Sequence, residues 1–394
     1  MSLPFRPPSL LQFLPALLLS GTLAAPLLAQ DSGAGTLKLG GYLKELAHIS
    51  TDNAFKRFRY DNILHHRLES SWSISRALTV QADMRTRLLT GYSIRHGAGL
   101  KEYYEHDSGY ADLSWVWHSG EQTLIHSNID RLHLSWFSGD LEVHAGRQRI
   151  NWGRTYIWNP NDLFNNYAFL DFDYEERPGV DALSAQYNWS YAAGVEGAWR
   201  MGRDLEGSVL AGMVRESWGS YDVQFLGGYY RRQIVVGAGW AGYLGQAGMK
   251  GEVSWFHPED ELLETAGHLT ATVGVDYMLP FGIYLQGEVL YNGGYRRTGE
   301  PLARLVRPPT ADNLFIARSG WFLNASYQLH PLISSSLGVM GSFDRPLAVI
   351  IPQASYSLGE NLDLMVLAQL LKGRLFRASL DTQNLFFLRL KYSY

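Results

Sequence analysis

The chain has 394 residues, 34 of them basic and 38 acidic, a net charge of −4 and no cysteine. No basic excess points to nucleic acid, and the lack of cysteine excludes disulfide frameworks, thiolate zinc sites and cysteine nucleophiles. The chain begins with an address: Arg6 is the only charge before an apolar stretch from Ser9 to Ala29, and Asp31 follows. That is the pattern of a signal peptide over residues 1–29, with cleavage expected after Ala29. Pro15 and Pro26 interrupt the run of about 20 apolar residues that a retained helix would need. Residues 30–394 then read as one exported domain.

Beyond the leader a period of two takes over. In "LTVQADMRTRLL", Leu78, Val80, Ala82, Met84 and Leu88 alternate with Thr79, Gln81, Asp83, Arg85 and Arg87. In "IDRLHLSWF" and "LEVHAGRQRI", Leu132, Leu134, Trp136, Val143 and Ala145 oppose Arg131, His133, Ser135, Glu142 and His144. "GMKGEVSWF", "HLTATVGVDYM", "FGIYLQGEVLYN" and "NLDLMVLAQLL" continue it, with Lys250, Glu252 and Glu288 on polar faces. The last eleven residues, "NLFFLRLKYSY", close the series with Phe386, Leu388, Leu390, Tyr392 and Tyr394 on one side. Strict alternation means strands with one apolar and one polar face. Strands of about ten residues, repeated down the chain, match a tilted crossing of a bilayer.

Tight links at Ser75-Arg76-Ala77, Ser138-Gly139-Asp140, Leu279-Pro280, His330-Pro331 and Gly359-Glu360 alternate with longer polar ones near 92–127, 151–179, 257–266, 293–318 and 372–383. The expected fold is all-β: an up-and-down antiparallel transmembrane barrel of about eighteen strands, with sixteen as the alternative, short periplasmic turns and long extracellular loops. Closure leaves no unpaired sheet edge in lipid, and a barrel of this size can hold water. Trp136, Tyr277, Tyr291, Tyr327, Tyr392 and Tyr394 suit interfacial girdles.

The densest segment is "GRQRINWGRTYIWNPNDLFNN", Gly146–Asn166. Alternation places Arg147 and Arg149 on the lipid side unless Gly146 marks a bulge that re-aims them. The Asn-Pro-Asn-Asp turn then takes the chain off the wall. The functional reading is a loop, 151–179, folded into the lumen, with Arg147, Arg149 and Arg154 opposing Asp171, Asp173, Glu175 and Glu176. The bland alternative is an outward loop whose ion pairs and tryptophans only stiffen the rim. Gln148 and Asp162 complete the constriction candidates. The lumen-facing candidates are Asp83, Arg85, Arg87, Arg131, His133, Glu142, His144, Lys250, Glu252 and Glu288.

No EF-hand spacing organises the acidic run, and His65, His66, His133 and His144 lack a helical HExxH context, so no metal and no cofactor is expected. No GxSxG elbow, P-loop or GxGxxG between strand and helix is present.

The run Ile129–Leu183, with Gly-Arg-Gln-Arg-Ile-Asn-Trp-Gly, Trp-Asn-Pro-Asn-Asp and Phe-Asp-Tyr-Glu-Glu-Arg-Pro-Gly, resembles a family of porin-like β-barrels from Gram-negative outer membranes. The resemblance implies membrane and fold but supplies no substrate. The C-terminal Tyr394 likewise resembles the signal read by the outer-membrane barrel assembly machinery. The expected function is passive diffusion of small polar solutes across the outer membrane, because the inward charges carry both signs. The alternatives are an envelope export or assembly scaffold and, third, a barrel-embedded hydrolase.

Overall fold

A computed structural model describes residues 35–52, 55–97, 100–107, 109–166, 177–261, 266–295, 309–375, 378–379 and 384–394. The leader and the acidic run Asp171–Glu176 lie outside the described residues. The first strands are long: β1 (Thr36–Thr51), β2 (Phe58–Ser75) and β3 (Leu78–Gly91). Two short helices, α1 (Tyr92–His96) and α2 (Leu100–Glu105), lead to the short β4 (Ser114–Ser119). There follow β5 (Thr123–Ser138), β6 (Leu141–Gln148), β7 (Val180–Asn188), β8 (Gly194–Arg200), β9 (Val209–Trp218) and β10 (Tyr221–Tyr230). Next come β11 (Gln233–Leu244), β12 (Ala247–Pro258), β13 (His268–Met278), β14 (Tyr284–Asn292), β15 (Ser319–His330) and β16 (Ile333–Gly341). The last are β17 (Leu347–Gly359), β18 (Leu362–Leu375), the two-residue β19 (Ala378–Ser379) and β20 (Asn384–Ser393).

Each wall strand pairs antiparallel with its neighbours, and β20 pairs with β1 from Tyr42↔Ser393 to Thr51↔Asn384. Leaving aside β4 and β19, eighteen strands form a closed up-and-down barrel. One rim holds the described chain ends and short links such as 76–77, 139–140, 219–220, 245–246, 331–332 and 360–361. The other rim holds the long links 92–122, 149–179, 259–267 and 293–318. Short links occur at that rim too: β16 and β17 are joined by 342–346, and β10 and β11 by only Arg231 and Arg232, both at positive φ.

The alternation sorts the two faces. Leu183, Leu210, Val214, Val236, Leu269, Val289, Leu323, Val366 and Leu388 are exposed on the outside. That apolar belt is what a sheet in hydrocarbon must present. Trp136, Tyr291, Tyr327, Tyr392 and Tyr394 are exposed with it.

The hydrophobic core lies inside the barrel, not within its wall. One cluster joins Ile150, Trp152, Leu163 and Phe164 of the third outer link to inward residues of β7–β12, including Ala182, Met213, Tyr230 and Phe256. A second joins Ile157 and Trp158 to Leu290, Phe322, Met340, Val349 and Leu367. The inner face is therefore not uniformly polar. Its apolar residues stand where the link packs.

Candidate functional site

β6 ends at Gln148, and the chain leaves the wall there. Residues 150–166 lie almost wholly buried against the inner surface of the opposite strands. Two wall carboxylates hold this segment by its backbone. Glu252 on β12 accepts from the N–H of Arg154, from that of Thr155 at 2.9 Å, from that of Asn161 at 2.9 Å and from the Thr155 hydroxyl at 3.1 Å. Glu288 on β14 accepts from the N–H of Tyr156, Ile157 and Trp158 at 2.9, 3.0 and 2.9 Å, and from Thr272 Oγ1. A carboxylate that accepts several N–H bonds can stay buried, and it satisfies donors a non-helical segment would otherwise leave orphaned.

The wall is shaped to receive the link. Asn161 donates its carboxamide to Ala238 O at 3.0 Å and accepts from Ser254 Oγ at 2.8 Å. A Cβ on Gly237 or Gly239 would come within 2.9 or 2.8 Å of that carboxamide, so these inward positions of β11 tolerate no side chain while it is seated. Gln224 donates to Trp152 O at 2.7 Å and accepts from Arg154 Nε at 2.8 Å. The Tyr156 hydroxyl bonds Asp276, while Lys250 sits 4.5 Å from the centre of its ring. Burial, followed by the bond to Asp276, raises the Tyr156 phenol above its usual range. Asp162 is wholly buried and accepts from Arg177 at 2.9 Å. Burial pushes its carboxyl up to about 6, against the pull of Arg177 and of the Asn165 N–H.

A second inward segment went unnoticed in the sequence. Residues 309–318 pack on the first through Trp158 and Phe315, whose rings meet edge to face at 5.4 Å. Asn292 organises them, donating to Phe315 O at 2.8 Å and Ala317 O at 3.0 Å. The Tyr230 hydroxyl accepts from Ala311 N at 3.0 Å. No side-chain period marks such a segment, because its order comes from backbone bonds to distant residues.

Arg147 does not face lipid. It is buried, and all five of its N–H groups have acceptors: Asp181 takes two, Asp107 one, and the carbonyls of Ile129 and Ala111 one each. Gly146 precedes it at a φ of 118°, a conformation only glycine adopts freely. The guanidinium thus ties the second outer link to the ends of β6 and β7. Gln148 is also structural in placement, bonded to Ala182 O, His144 O and Ser184. Arg149 is exposed and Arg154 half-buried.

Among the other inward residues, Arg67 draws Asp83 and Asp130 together at 3.1 and 2.7 Å. Arg85 bonds Asn128, and Arg87 meets His126 and the ring of Tyr104. Arg131 donates to the carbonyls of Asp130 and Arg177. With Lys44, Arg389 and Lys391 these gather cations on the β1–β5 and β20 side, while on β8–β14 the carboxylates Glu196, Asp222, Glu252, Asp276 and Glu288 stand among the inward cations Arg200, Arg215 and Lys250.

His133 and His144 stand 6.0 Å apart across the β5–β6 hairpin. Ser135 Oγ lies 2.8 Å from His144 Nδ1, and Glu142 lies 3.7 Å from His144 Nε2. The residues of a hydrolytic triad are present, but Ser135 is in register with β3 and β6 on either side, so the ladder leaves no local N–H pair to bind an oxyanion. Among the described residues no group of three or more metal-binding side chains occurs.

No protein-family model and no curated protein matches the chain. Solved structures do. The outer membrane protein OprD from Pseudomonas aeruginosa superposes with a TM-score of 0.61 at 9% identity, covering 93% of this chain and 95% of that one. OccAB1 of Acinetobacter baumannii gives 0.60 at 7%, covering 93% and 98%, and OccD3 (OpdP) of Pseudomonas aeruginosa gives 0.56 at 8%, covering 93% of each. The fold is that of an outer-membrane porin. At these identities the likeness concerns architecture, and the lining of this porin-type barrel has to be read from its own residues.

Proposed function

We propose that this chain is an outer-membrane channel for passive diffusion of small polar solutes, narrowed by its third outer link. The observation that carries the reading is the docking of six consecutive-region N–H groups, from Arg154 to Asn161, on Glu252 and Glu288. A barrel that only needed stiffening at its rim would have no use for buried wall carboxylates dedicated to a segment inside it. Solutes then pass beside the seated link, and charges of both signs at a constriction set the field they meet. Arg149 and Arg154 are the arginines of the link available to that field.

The decisive experiment is reconstitution in a planar bilayer. Discrete conductance steps are expected, and replacing Glu252 and Glu288 together by Gln should enlarge or destabilise them as the link loosens. Changing Arg149 and Arg154 to Glu should shift cation-versus-anion preference. A silent bilayer with properly folded protein would turn the reading towards an envelope scaffold.

A further inference from the structure

We infer that the inner face of β14–β17, between the seated link and the short-link rim, is a track for uncharged polyhydroxylated solutes such as sugars, a solute class that rests on the channel reading. The stretches 284–287, 323–330, 333–338 and 351–359 hold no Asp, Glu, Lys or Arg. Their two faces are fixed by burial: Glu288, Phe322, Met340 and Ile351 are buried inside, while Leu285, Leu323, Leu337 and Tyr356 are exposed outside. Alternation then turns Tyr284, Ser326, Ser336 and Gln353 inward, and they stand in one register across the four strands. Towards the link, Gln286 and Asn324 pair, with Asn324 donating to Gln286 at 3.2 Å. Towards the short-link rim, Ser334 and Ser355 pair. The nearest inward carboxylates in register, Asp276 opposite Gln286 and Asp363 opposite Ser357, mark the two edges.

Inward amides elsewhere are committed to the fold: Gln148, Gln224 and Asn292 each bind two or more groups of the protein. Ser326, Ser334, Ser336, Gln353 and Ser355 differ. Their side chains make no hydrogen bond to the protein among the described residues, and none of them is buried. A hydroxyl or carboxamide both donates and accepts, as a sugar hydroxyl does, so each contact with water can be exchanged for an equivalent one with the solute. An ion gains nothing from that exchange, because no fixed opposite charge stands in the strip to replace its hydration. Tyr284 adds an aromatic ring at the end of the row, an apolar body beside polar groups. At ordinary strand and residue spacings the patch measures about 14 Å across and about 13 Å along the strands, enough for more than one sugar ring.

Glucose, gluconate and glucosamine share a carbon skeleton and differ in charge, which makes them the probes. With no membrane potential, initial uptake into proteoliposomes holding the full chain should be several-fold faster for glucose than for either ion, and should saturate as its concentration rises. Maltotriose added to one side of a planar bilayer should lower the salt current in a saturable way. Gln353→Leu combined with Ser336→Ala should abolish the saturation and the lead of glucose while leaving salt conductance near that of wild type. If that variant folds poorly, Gln353→Glu keeps the size of the side chain and should move the preference from glucose to glucosamine. Gluconate or glucosamine entering as fast as glucose, uptake strictly proportional to concentration, or both variants behaving as wild type would each overturn the inference. Conductance steps with no sugar preference would leave the channel standing and remove only the track. A bilayer silent to salt, with no uptake of sugar, would remove both.

Discussion

Arg147 has an acceptor for every N–H it carries, and both carboxylates it meets are nearly as buried as it is. Removing one partner of such a cluster strands the others. Arg147→Ala should therefore destabilise the barrel by about 3–5 kcal/mol. Thermal unfolding in detergent would show this, and a variant as stable as wild type would mean the cluster is solvated. Lysine is a poor substitute, since its three donors cannot reproduce the fork. Asp162 has a different signature. Its folded value, about 6, exceeds the reference of 3.8 because burial dominates. Between about pH 4 and about pH 6 the folded protein holds a proton that the unfolded chain has released, so stability falls as pH rises through that window and is level above it. Asp162→Asn stays neutral throughout. The difference in melting temperature between variant and wild type should grow in the variant's favour across the window, and a constant difference would refute the argument.

At the scale of elements, the contest is between wall and link. Gly237 and Gly239 leave room on β11 for Asn161. Gly239→Val suits a strand intrinsically, because β-branched residues pack well on a pleated surface. It should nevertheless unseat the link, giving a folded barrel with raised or noisier conductance; an unchanged trace would mean the link yields locally. The β10–β11 hairpin makes the opposite case. Arg231 and Arg232 sit at φ 51° and 64°, the conformation of a type I′ turn, which Asn-Gly adopts with less strain. Their side chains bind Glu206 O and Asp260 at an exposed rim. Exchanging the pair for Asn-Gly should raise thermal stability slightly, since exposed ion pairs contribute little. A fall would show that these rim contacts outweigh the turn.

For the whole molecule, inside and outside follow separate rules. The outer belt answers to hydrocarbon. Val273→Lys, on the lipid face, should cost about 2–4 kcal/mol if that position lies near the bilayer midplane, measurable by reversible unfolding in lipid vesicles. The interior answers to two inserted segments, which bring an apolar core into a space that alternation alone would leave wet. Strand count, antiparallel order and the split of long and short links are legible in the sequence because each is local. A period of two reports the face, and a proline or Gly-Asp pair reports the turn. The short links at 219–220 and 245–246 were less legible, having weaker turn signals within glycine-rich stretches.

The sequence by itself determined a closed barrel, since alternation over some ten residues has no other stable arrangement in lipid. It also determined on which face a residue such as Glu252 or Glu288 falls. It did not determine what these carboxylates touch. Their backbone donors lie 91 to 132 residues away along the chain and carry no side-chain signature. Nor could it tell that Arg147 faces Asp107 and Asp181, or that residues 309–318 share the lumen. Arg147 and Asp181 need only the pairing of β6 with β7, but the seating of the link on Glu252 and Glu288 exists only once the cylinder has closed, because closure brings distant wall strands and the segment between them within hydrogen-bonding distance.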